Sequence, residues 1–338
     1  MKSLFFTALL VLFTGTLVAQ PEINGGPVNV PADGIVDGVF IQEHIPTKRM
    51  IPYEFVREAD VIWSKRVWQT IDMREKMNHP MYFPFDDYDA ENNWVKNSSR
   101  WSLWTILKTH IFNGDIRVFS PDNPVDYTIK DGDQLKYPID PEPGMNFYTD
   151  SVYREKLFYF FGTLGAQSMT PLPNYDGSGD SVIVKIDPSG NSYEDKVYPP
   201  KDTTWFKTID VIQYRIKEDW FFDKERSVLD VRILAIAPVV YSKDEQGQIQ
   251  GMKELFWLYF PHCRFVLNNY FVYNDKNDAQ WMSFDDLFWK RRFTSVMYKE
   301  SNVFDRKMEA YKTGVDALFE AEKVKEEIRT IEHDVWTF

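Results

Sequence analysis

Three long runs of β-branched and aromatic residues in the second half of the chain restrict the fold more than any other feature. They cover residues 205–217, 227–241 and 253–266, with polar segments between them. Residues of these types favour the pleated, half-buried surface of a sheet. The polar segment 243–248 has the composition of a hairpin turn. The runs therefore predict an antiparallel β-meander.

Two similar stretches raise the question of an internal duplication. Asp-Val-Ile-Trp-Ser-Lys opens the stretch 60–74, and Asp-Trp-Phe-Phe-Asp-Lys opens the stretch 219–232. A helical segment that begins with serine follows each of them, at Ser102 and at Ser283. Asp286 lies three residues after Ser283, as in a capping box, and predicts a helix that continues to about residue 292. Two copies are a weak repeat signal, so a duplicated strand–strand–helix unit and a chance similarity both stay open.

The C-terminal region has the pattern of a long helix. Residues 305–334 lack proline and carry apolar residues at gaps of three and four, which mark one face of a helix. The apolar positions are Met308, Tyr311, Val315, Leu318, Val324, Ile328, Ile331 and Val335. The phase of this stripe breaks near Glu322, and Gly314 weakens the helix locally. The helix either packs on its own domain or docks into a groove of a neighbour.

Together these patterns predict an α+β fold of antiparallel β-meanders with packed helices and a long C-terminal helix. Lys2 precedes a short apolar run that ends at Ala19, which is typical of a cleaved secretory signal peptide. No later apolar stretch approaches the length of a membrane span, so we expect an exported, soluble chain. The expected segments are a signal peptide (1–19), an extended N-terminal arm rich in Pro, Gly and Asn (20–52), a first α+β unit (53–125), an irregular Pro/Gly-rich connection (126–206), a second α+β unit (207–300) and the C-terminal helix (301–338).

Some finer expectations fall inside these segments. The arm is either disordered or pinned onto another surface, such as a neighbouring subunit. The connection is interrupted by a short helix around residues 153–161 and by a strand at 181–186. The domain boundary is expected within the connection.

Charge and aromatic content narrow the class of partner. The formal net charge is -12, from 39 basic and 51 acidic residues, and there is no basic run. Nucleic acid is therefore excluded as a partner, because phosphate binding needs clustered positive charge. Phe, Tyr and Trp make up 16% of the chain, and such residues are enriched at protein interfaces. The candidate interface residues are Trp220, Phe221, Phe222, Trp257, Tyr259, Leu318, Ile328 and Ile331.

No motif predicts catalysis, a cofactor or a metal site. Phosphate loops, nucleophile elbows and paired-histidine zinc motifs do not occur in the sequence. Cys263 and His262 are neighbours in a predicted strand, where their side chains would diverge, so a buried structural thiol is favoured over a catalytic pair. The segment 176–180 lacks the terminal glutamate of a calcium loop and is more typical of a hairpin turn.

An acidic cluster keeps one enzymatic alternative open. Asp86, Asp87 and Asp89 follow the aromatic residues Tyr82, Phe83 and Phe85. Glycosidases use two carboxylates beside aromatic platforms, so an exported carbohydrate-binding or glycan-cleaving protein is the alternative function. An acidic chain also shows such clusters on solvated loops, and that interpretation is favoured here.

Several stretches, spread over nearly the whole chain beyond the signal peptide, carry a resemblance to a known family. They are residues 36–40, 57–63, 68–76, 78–80, 217–224, 254–261 and 268–286. In their number and order they resemble the GldN family, also called PorN, of the type IX secretion system. The resemblance implies a periplasmic structural component with no catalytic residues and no cofactor.

The resemblance also implies partners. Family members assemble with an outer-membrane lipoprotein, GldK or PorK, into a ring at the inner face of the outer membrane. They also contact the inner-membrane shaft protein, GldM or PorM. A closed ring requires two different contact patches on each subunit. We expect one patch in the β-meander and the other in the arm or the C-terminal helix.

Overall fold

A computed structural model describes residues 50–335 of the chain. Positions left out within this range are 92, 98–99, 127, 165–169, 175–179, 187–191, 200–202, 244–247 and 278–281. The predicted signal peptide and nearly all of the predicted arm therefore lie outside the described residues, as do most of the predicted turns 176–180 and 243–248. The chain separates into two compact units, of which Pro141–Phe206 is the smaller and the remainder is the larger.

The strands and helices are short except in the central sheet and at the C-terminus. The strands are β1 (Val61–Asp72), β2 (Asp87–Tyr88), β3 (Trp94–Val95), β4 (Val118–Phe119), β5 (Pro138–Ile139), β6 (Gly162–Leu164), β7 (Val182–Ile186), β8 (Ser192–Lys196), β9 (Thr203–Trp205), β10 (Val211–Asp223), β11 (Val228–Lys243), β12 (Ile249–Glu254), β13 (Trp257–Tyr259), β14 (Phe271–Val272), β15 (Met282–Ser283) and β16 (Val296–Glu300). The α-helices are α1 (His79–Tyr82), α2 (Leu103–Asn113), α3 (Ser151–Phe161), α4 (Phe260–Leu267), α5 (Phe284–Trp289) and α6 (Val315–Val335).

The larger unit is built on one antiparallel sheet. Its strand order is β16-β1-β10-β11-β13-β4-β5, and β12 pairs with the end of β11. The first two predicted strands of the meander, over residues 205–217 and 227–241, are confirmed as β10 and β11, although β10 begins later, at Val211, and ends later, at Asp223. The third prediction, a strand over residues 253–266, is wrong after Tyr259, because α4 begins at Phe260. Pro261 lies in the first turn of this helix, where its missing N–H leaves no helical bond unmade.

The two similar stretches pair with each other instead of forming equivalent units. Residues 60–72 lead into and form the single strand β1, whereas residues 219–232 span the end of β10 and the start of β11. The two stretches are antiparallel neighbours, and Arg66 pairs with Asp219 at 2.6 Å. The described residues therefore show no repeated strand–strand–helix unit.

Both predicted serine caps are confirmed. The Ser102 Oγ accepts a hydrogen bond from the Thr105 N–H at 3.3 Å, at the start of α2. The Ser283 Oγ accepts one from the Asp286 N–H at 3.1 Å, at the start of α5. Such a cap satisfies an N–H that has no partner within the helix. The helix α5 ends at Trp289, earlier than predicted.

Each face of the sheet has its own core. Val67 and Trp68 are neighbours on β1 and so point to opposite faces. On one face, Ala321, Val324 and Ile328 of α6 pack with Val67, Met297 and Met308. On the other face, the core consists of Trp68, Phe119, Ala235, Ala237 and Trp257, with Leu135, Tyr259 and Tyr298 packed against it.

The C-terminal helix begins later than predicted. Gly314 adopts a left-handed φ of 57° directly before Val315, a conformation that favours glycine and ends the preceding turn. Met308 and Tyr311 therefore lie before the helix, although they still pack against the core under it. The phase break near Glu322 separates two faces: Val324 is buried, whereas Leu318 is exposed.

The smaller unit contains α3, the β6–β9 pair and the β7–β8 hairpin. The helix and the strand predicted within the connection are confirmed as α3 and β7. The Asp150 carboxylate accepts hydrogen bonds from the N–H groups of Val152 at 2.9 Å and of Tyr153 at 3.0 Å. These backbone hydrogen bonds and one from the Glu142 N–H lower the pKa of Asp150. Asp150 thus fixes the start of α3.

Candidate interface surfaces

Several of the predicted interface residues belong to the interior of the chain itself. Phe221, Phe222, Trp257 and Ile328 are buried. Trp257 lies in the core on one face of the sheet, and Ile328 lies in the core under α6. In this conformation these side chains offer no area to another protein.

The other predicted residues differ in exposure. Trp220 packs against the core under α6, and its Nε1–H donates to the Glu218 carboxylate at 3.1 Å. Tyr259 packs against the Trp257 core, and Ile331 is half-buried. Leu318 is the member of the set whose side chain is largely exposed in the described structure, at 55%. The interface prediction therefore depends on the outer side of α6.

A second apolar face runs along the first turns of α6. Val315, Leu318 and Phe319 are 65%, 55% and 70% exposed. Their spacing of three and four places them on one side of the helix. Val324 follows Val315 by two and a half turns and so faces the opposite direction, toward the sheet. We call Val315, Leu318 and Phe319 the outer stripe.

Phe319 was missed by the sequence analysis, although a signal for it was present. It follows Val315 by four residues and adjoins Leu318, which marks a stripe out of phase with the buried one. The preceding loop also exposes Val303 and Phe304. The Arg306 guanidinium lies 4.6 Å from the Phe304 ring centroid and 4.5 Å from that of Tyr311. Exposed apolar groups gathered in this way mark protein interaction sites.

The acidic cluster is used for local structure. Asp86 is buried, and its carboxylate accepts from the Trp94 Nε1–H and the Thr208 N–H, each at 2.7 Å. Asp87 pairs with Lys207 at 2.5 Å, a contact that lowers the pKa of Asp87. Hydrogen bonds from Asn93 lower the pKa of Asp89. A glycosidase acid needs a raised pKa, so Asp87 and Asp89 give no support to glycan cleavage, and Asp86 is bonded to Trp94 and Thr208.

Lys108 is the most unusual charged group of the larger unit. It lies on α2 and is fully buried. Its ammonium is 4.9 Å from the Tyr88 ring centroid and 4.5 Å from that of Trp94, and it donates a hydrogen bond to the Tyr88 hydroxyl. Burial lowers the pKa of Lys108 to about 7, although the charge of Asp86 opposes the change. The buried ammonium is thus surrounded by aromatic rings, which stabilise it through cation–π contacts.

Arg264 on α4 fixes the described end of the arm. Its Nε–H and one Nη–H donate to the Asp285 carboxylate at 2.7 and 3.1 Å, and the same Nη group donates to the Ile51 carbonyl at 2.8 Å. The guanidinium lies 4.5 Å from the Tyr53 ring centroid and 4.8 Å from that of Trp289. Arg226 adds an ion pair with Glu54 at 2.6 Å. The segment around Tyr53 is thus held on its own subunit.

Tyr53 lines a cavity of about 130 Å³ together with Phe260, Phe288 and Trp289. Burial raises the pKa of Tyr53 to about 12, so its hydroxyl stays protonated. Arg264 and Asp285 of the ion pair lie on the wall of the same cavity. Its charged groups are bonded to protein partners, and the cavity forms part of the anchor of the arm.

The remaining chemical candidates have structural roles. The strand predicted at Cys263 and His262 is wrong, because both lie on α4. The predicted divergence of their side chains and the buried thiol are confirmed. Cys263 is buried and His262 is exposed. Burial raises the pKa of Cys263 to about 12, which leaves the thiol unreactive. Among the described residues no group of His, Cys, Asp and Glu could hold a metal ion.

Comparison with known proteins identifies the chain. The model of a family described as "Gliding motility associated protein GldN" matches residues 56–337. No curated protein matches the chain. Within the part of the chain that the structure covers, none of the helices is long and apolar enough to cross a membrane. The family match extends from the start of the central sheet through α6. The chain therefore belongs to the GldN family and is a component of the gliding motility and type IX secretion machinery.

Proposed function

We propose that the chain is a non-enzymatic structural subunit of this machinery in the periplasm, peripherally associated with the inner face of the outer membrane. Family membership supports the structural role. The leader-like residues 1–19 support export. The unreactive Cys263 and the structural carboxylates near Asp86 agree with a role without catalysis.

The proposed partners are those of the family that the sequence resembles. The chain joins an outer-membrane lipoprotein of the GldK or PorK kind in a ring, and the ring contacts an inner-membrane shaft protein of the GldM or PorM kind. Self-association of this subunit is part of the proposal. The role requires no cofactor. Its physical requirement is a set of long-lived protein contacts, because repeated subunits in a closed ring need two distinct surfaces each.

The observation that carries the proposal is the outer stripe. The inner face of α6 is already packed against the sheet, yet Val315, Leu318 and Phe319 add a second apolar face. A helix on the surface of an isolated domain is normally apolar on one side only. When another protein covers apolar residues on the other side, the free energy of the system falls, because apolar area is removed from water.

Charges placed on the outer stripe should therefore disrupt assembly without unfolding the chain. In the double variant Leu318→Asp, Phe319→Asp, we expect an unchanged thermal transition, since both side chains already face water. Co-expressed with the lipoprotein partner, the variant should lose most of the large particles seen for the unchanged chain by electron microscopy. Burying an unpaired carboxylate at each contact costs several kcal/mol.

Thr330→Asp is the matched control, because it adds a carboxylate to an exposed position of the same helix. It should leave particle formation nearly unchanged. Large particles from the double variant, at the yield of the unchanged chain, would contradict the role of the outer stripe. If the unchanged chain gave only monomers and simple heterodimers, the structural proposal itself would fail.

A further inference from the structure

A second surface combines half-buried aromatic rings and cations with one exposed ring, Tyr273, which is 48% exposed. The Lys96 ammonium lies 4.8 Å from the Trp94 ring centroid and 4.7 Å from that of Trp101. The Arg100 guanidinium lies 5.0 Å from the Tyr273 ring centroid. Neither Lys96 nor Arg100 forms an ion pair with any carboxylate that the structure describes. We call these five residues the cationic surface.

Hydrogen bonds and ring stacking within the chain hold the two tryptophan rings of this surface in place. The Trp94 Nε1–H donates to Asp86 at 2.7 Å, and the Trp101 Nε1–H donates to the Asn97 carbonyl at 3.0 Å. Trp101 also stacks on Tyr270, with 5.4 Å between the ring centroids. A surface that is rigid before binding loses less conformational freedom when a partner docks. Tryptophan, tyrosine and arginine are also the residues that dominate binding energy at interfaces.

The charge of the chain makes this surface unusual. Acidic residues exceed basic ones, 51 to 39, so a cation in this chain has many possible acidic neighbours. Lys96 and Arg100 nevertheless face only rings among the described contacts. A partner that supplies carboxylates beside apolar side chains would complement both features.

The beginning of α6 has the complementary character. Within α6 seven acidic residues stand against three basic ones. Three acidic side chains pair within the helix, in Lys323–Glu327, Lys325–Glu322 and Arg329–Glu326. Asp316 lies in the first turn beside the outer stripe, is exposed, and has no basic partner among the residues described. The outer stripe and Asp316 together offer apolar groups and a free carboxylate.

The two surfaces are separate patches of one subunit. Asp86, which holds Trp94, is bonded to Thr208 just before β10 begins. The core under α6 includes Val67, which pairs with Glu218 far along β10. Val211, at the start of β10, marks the end of the strand near the cationic surface, and Glu218 marks the part near α6. At a rise of about 3.3 Å per residue, these two residues are about 23 Å apart along the strand. Two distinct, complementary patches on one chain are what a head-to-tail contact between identical subunits requires.

We infer that the outer stripe and Asp316 of one subunit dock on the cationic surface of the next subunit. Leu318 and Phe319 then pack on Tyr273, the exposed ring of this surface, and Asp316 faces Lys96 and Arg100. The inference deepens the proposed self-association and rests on it. It names the second copy of this chain as the occupant, because both complementary halves of the contact belong to the same sequence.

Cysteine cross-linking tests the pairing in the assembled complex. Lys96→Cys and Asp316→Cys place one thiol on each surface, and the buried Cys263 does not compete. After co-expression with the lipoprotein partner and mild oxidation, we expect a mixture of the two single variants to form a covalent dimer. The double variant should form a series of longer covalent oligomers. Either single variant by itself should form no dimer of this chain.

Charge reversal provides a second, independent measurement. Lys96→Glu and Asp316→Lys should each weaken self-association roughly tenfold, as loss of a close interfacial charge pair does. The double reversal should recover most of that loss. If the double reversal weakened self-association by the combined effect of the two single variants, a direct contact between these positions would be contradicted.

The outcomes separate this pairing from the proposed function. A covalent dimer from Asp316→Cys alone would mean that two α6 helices meet, which overturns the head-to-tail contact. Large particles that form without any bond between positions 96 and 316 would overturn the pairing and leave the structural role intact. A chain that never self-associates beside its lipoprotein partner would overturn both.

Discussion

Replacing Arg264 by methionine is expected to lower the free energy of unfolding by about 3–5 kcal/mol. The Arg264 side chain is 2% exposed, and its partner Asp285 is 10% exposed. The substitution leaves the Asp285 carboxylate buried without its cation, and a buried charge that loses its partner is strongly destabilising. It also removes the hydrogen bond to the Ile51 carbonyl and one cation–π contact to Tyr53. Urea unfolding at pH 7 measures this change in the free energy of unfolding.

Arg74→Met is the matched control for Arg264→Met. Arg74 pairs with Asp72 at a comparable distance, 2.5 Å, but its side chain is 70% exposed. Exposed pairs contribute about 1 kcal/mol or less, so this variant should unfold close to the unchanged chain. We also expect faster proteolysis around Tyr53 in Arg264→Met, because the anchor of the arm is lost. Equal stability losses in the two variants would contradict the buried role of Arg264.

Replacing Lys108 by methionine is expected to stabilise the chain, most strongly below pH 7. Burial lowers the pKa of Lys108 from 10.5 to about 7 in the folded chain. Below pH 7 both the folded and the unfolded chain carry the proton, and the folded chain bears the full cost of a buried charge. At about 1.4 kcal/mol for each pKa unit, that cost has an upper limit of about 5 kcal/mol. Methionine fills a similar volume among the rings without a charge.

The sign of the pH dependence follows from proton binding. Between about pH 7 and pH 10.5 the unfolded chain binds a proton on Lys108 that the folded chain does not bind. The stability contribution of Lys108 therefore rises with pH through this window. The difference in the free energy of unfolding between Lys108→Met and the unchanged chain should be largest at pH 6 and should shrink toward pH 10. Unfolding curves at several pH values measure it.

Lys312→Met serves as the control for Lys108→Met, because Lys312 is exposed on the loop before α6. It should change neither the stability nor its pH dependence appreciably. A Lys108→Met variant that is less stable than the unchanged chain at pH 6 would show that the contacts of the ammonium with Tyr88 and Trp94 outweigh its desolvation.

Local sequence signals predicted the parts of the fold that depend on local chemistry. The β-branched runs predicted β10 and β11, and serine before a helical stretch predicted the starts of α2 and α5. The end of the third run could not be predicted in the same way. Residues after Tyr259 have strand-like composition, yet Pro261 and packing on the sheet favour α4. Tertiary packing decides such ambiguous apolar runs.

The candidate surfaces were harder to predict, because core and interface use the same residue types. Trp257 and Phe319 are both large aromatic residues. Trp257 is buried in the core on one face of the sheet, whereas Phe319 lies on the outer side of α6, whose inner side is already packed. The burial of Lys108 depends on Tyr88 and Trp94, which are distant in sequence. Arg264 likewise meets Ile51 only through the tertiary fold. No local pattern contains these contacts.

Hydroxyl-radical footprinting of the native particles tests most directly whether the outer stripe is an assembly surface. The oxidation rates of Leu318 and Phe319 would be compared between the isolated subunit and the complex with the lipoprotein partner. We expect both rates to fall several-fold on assembly, while buried Phe222 stays slow in both states. Unchanged, fast oxidation of Leu318 and Phe319 in fully assembled particles would contradict the claim that this face of α6 holds the subunits together.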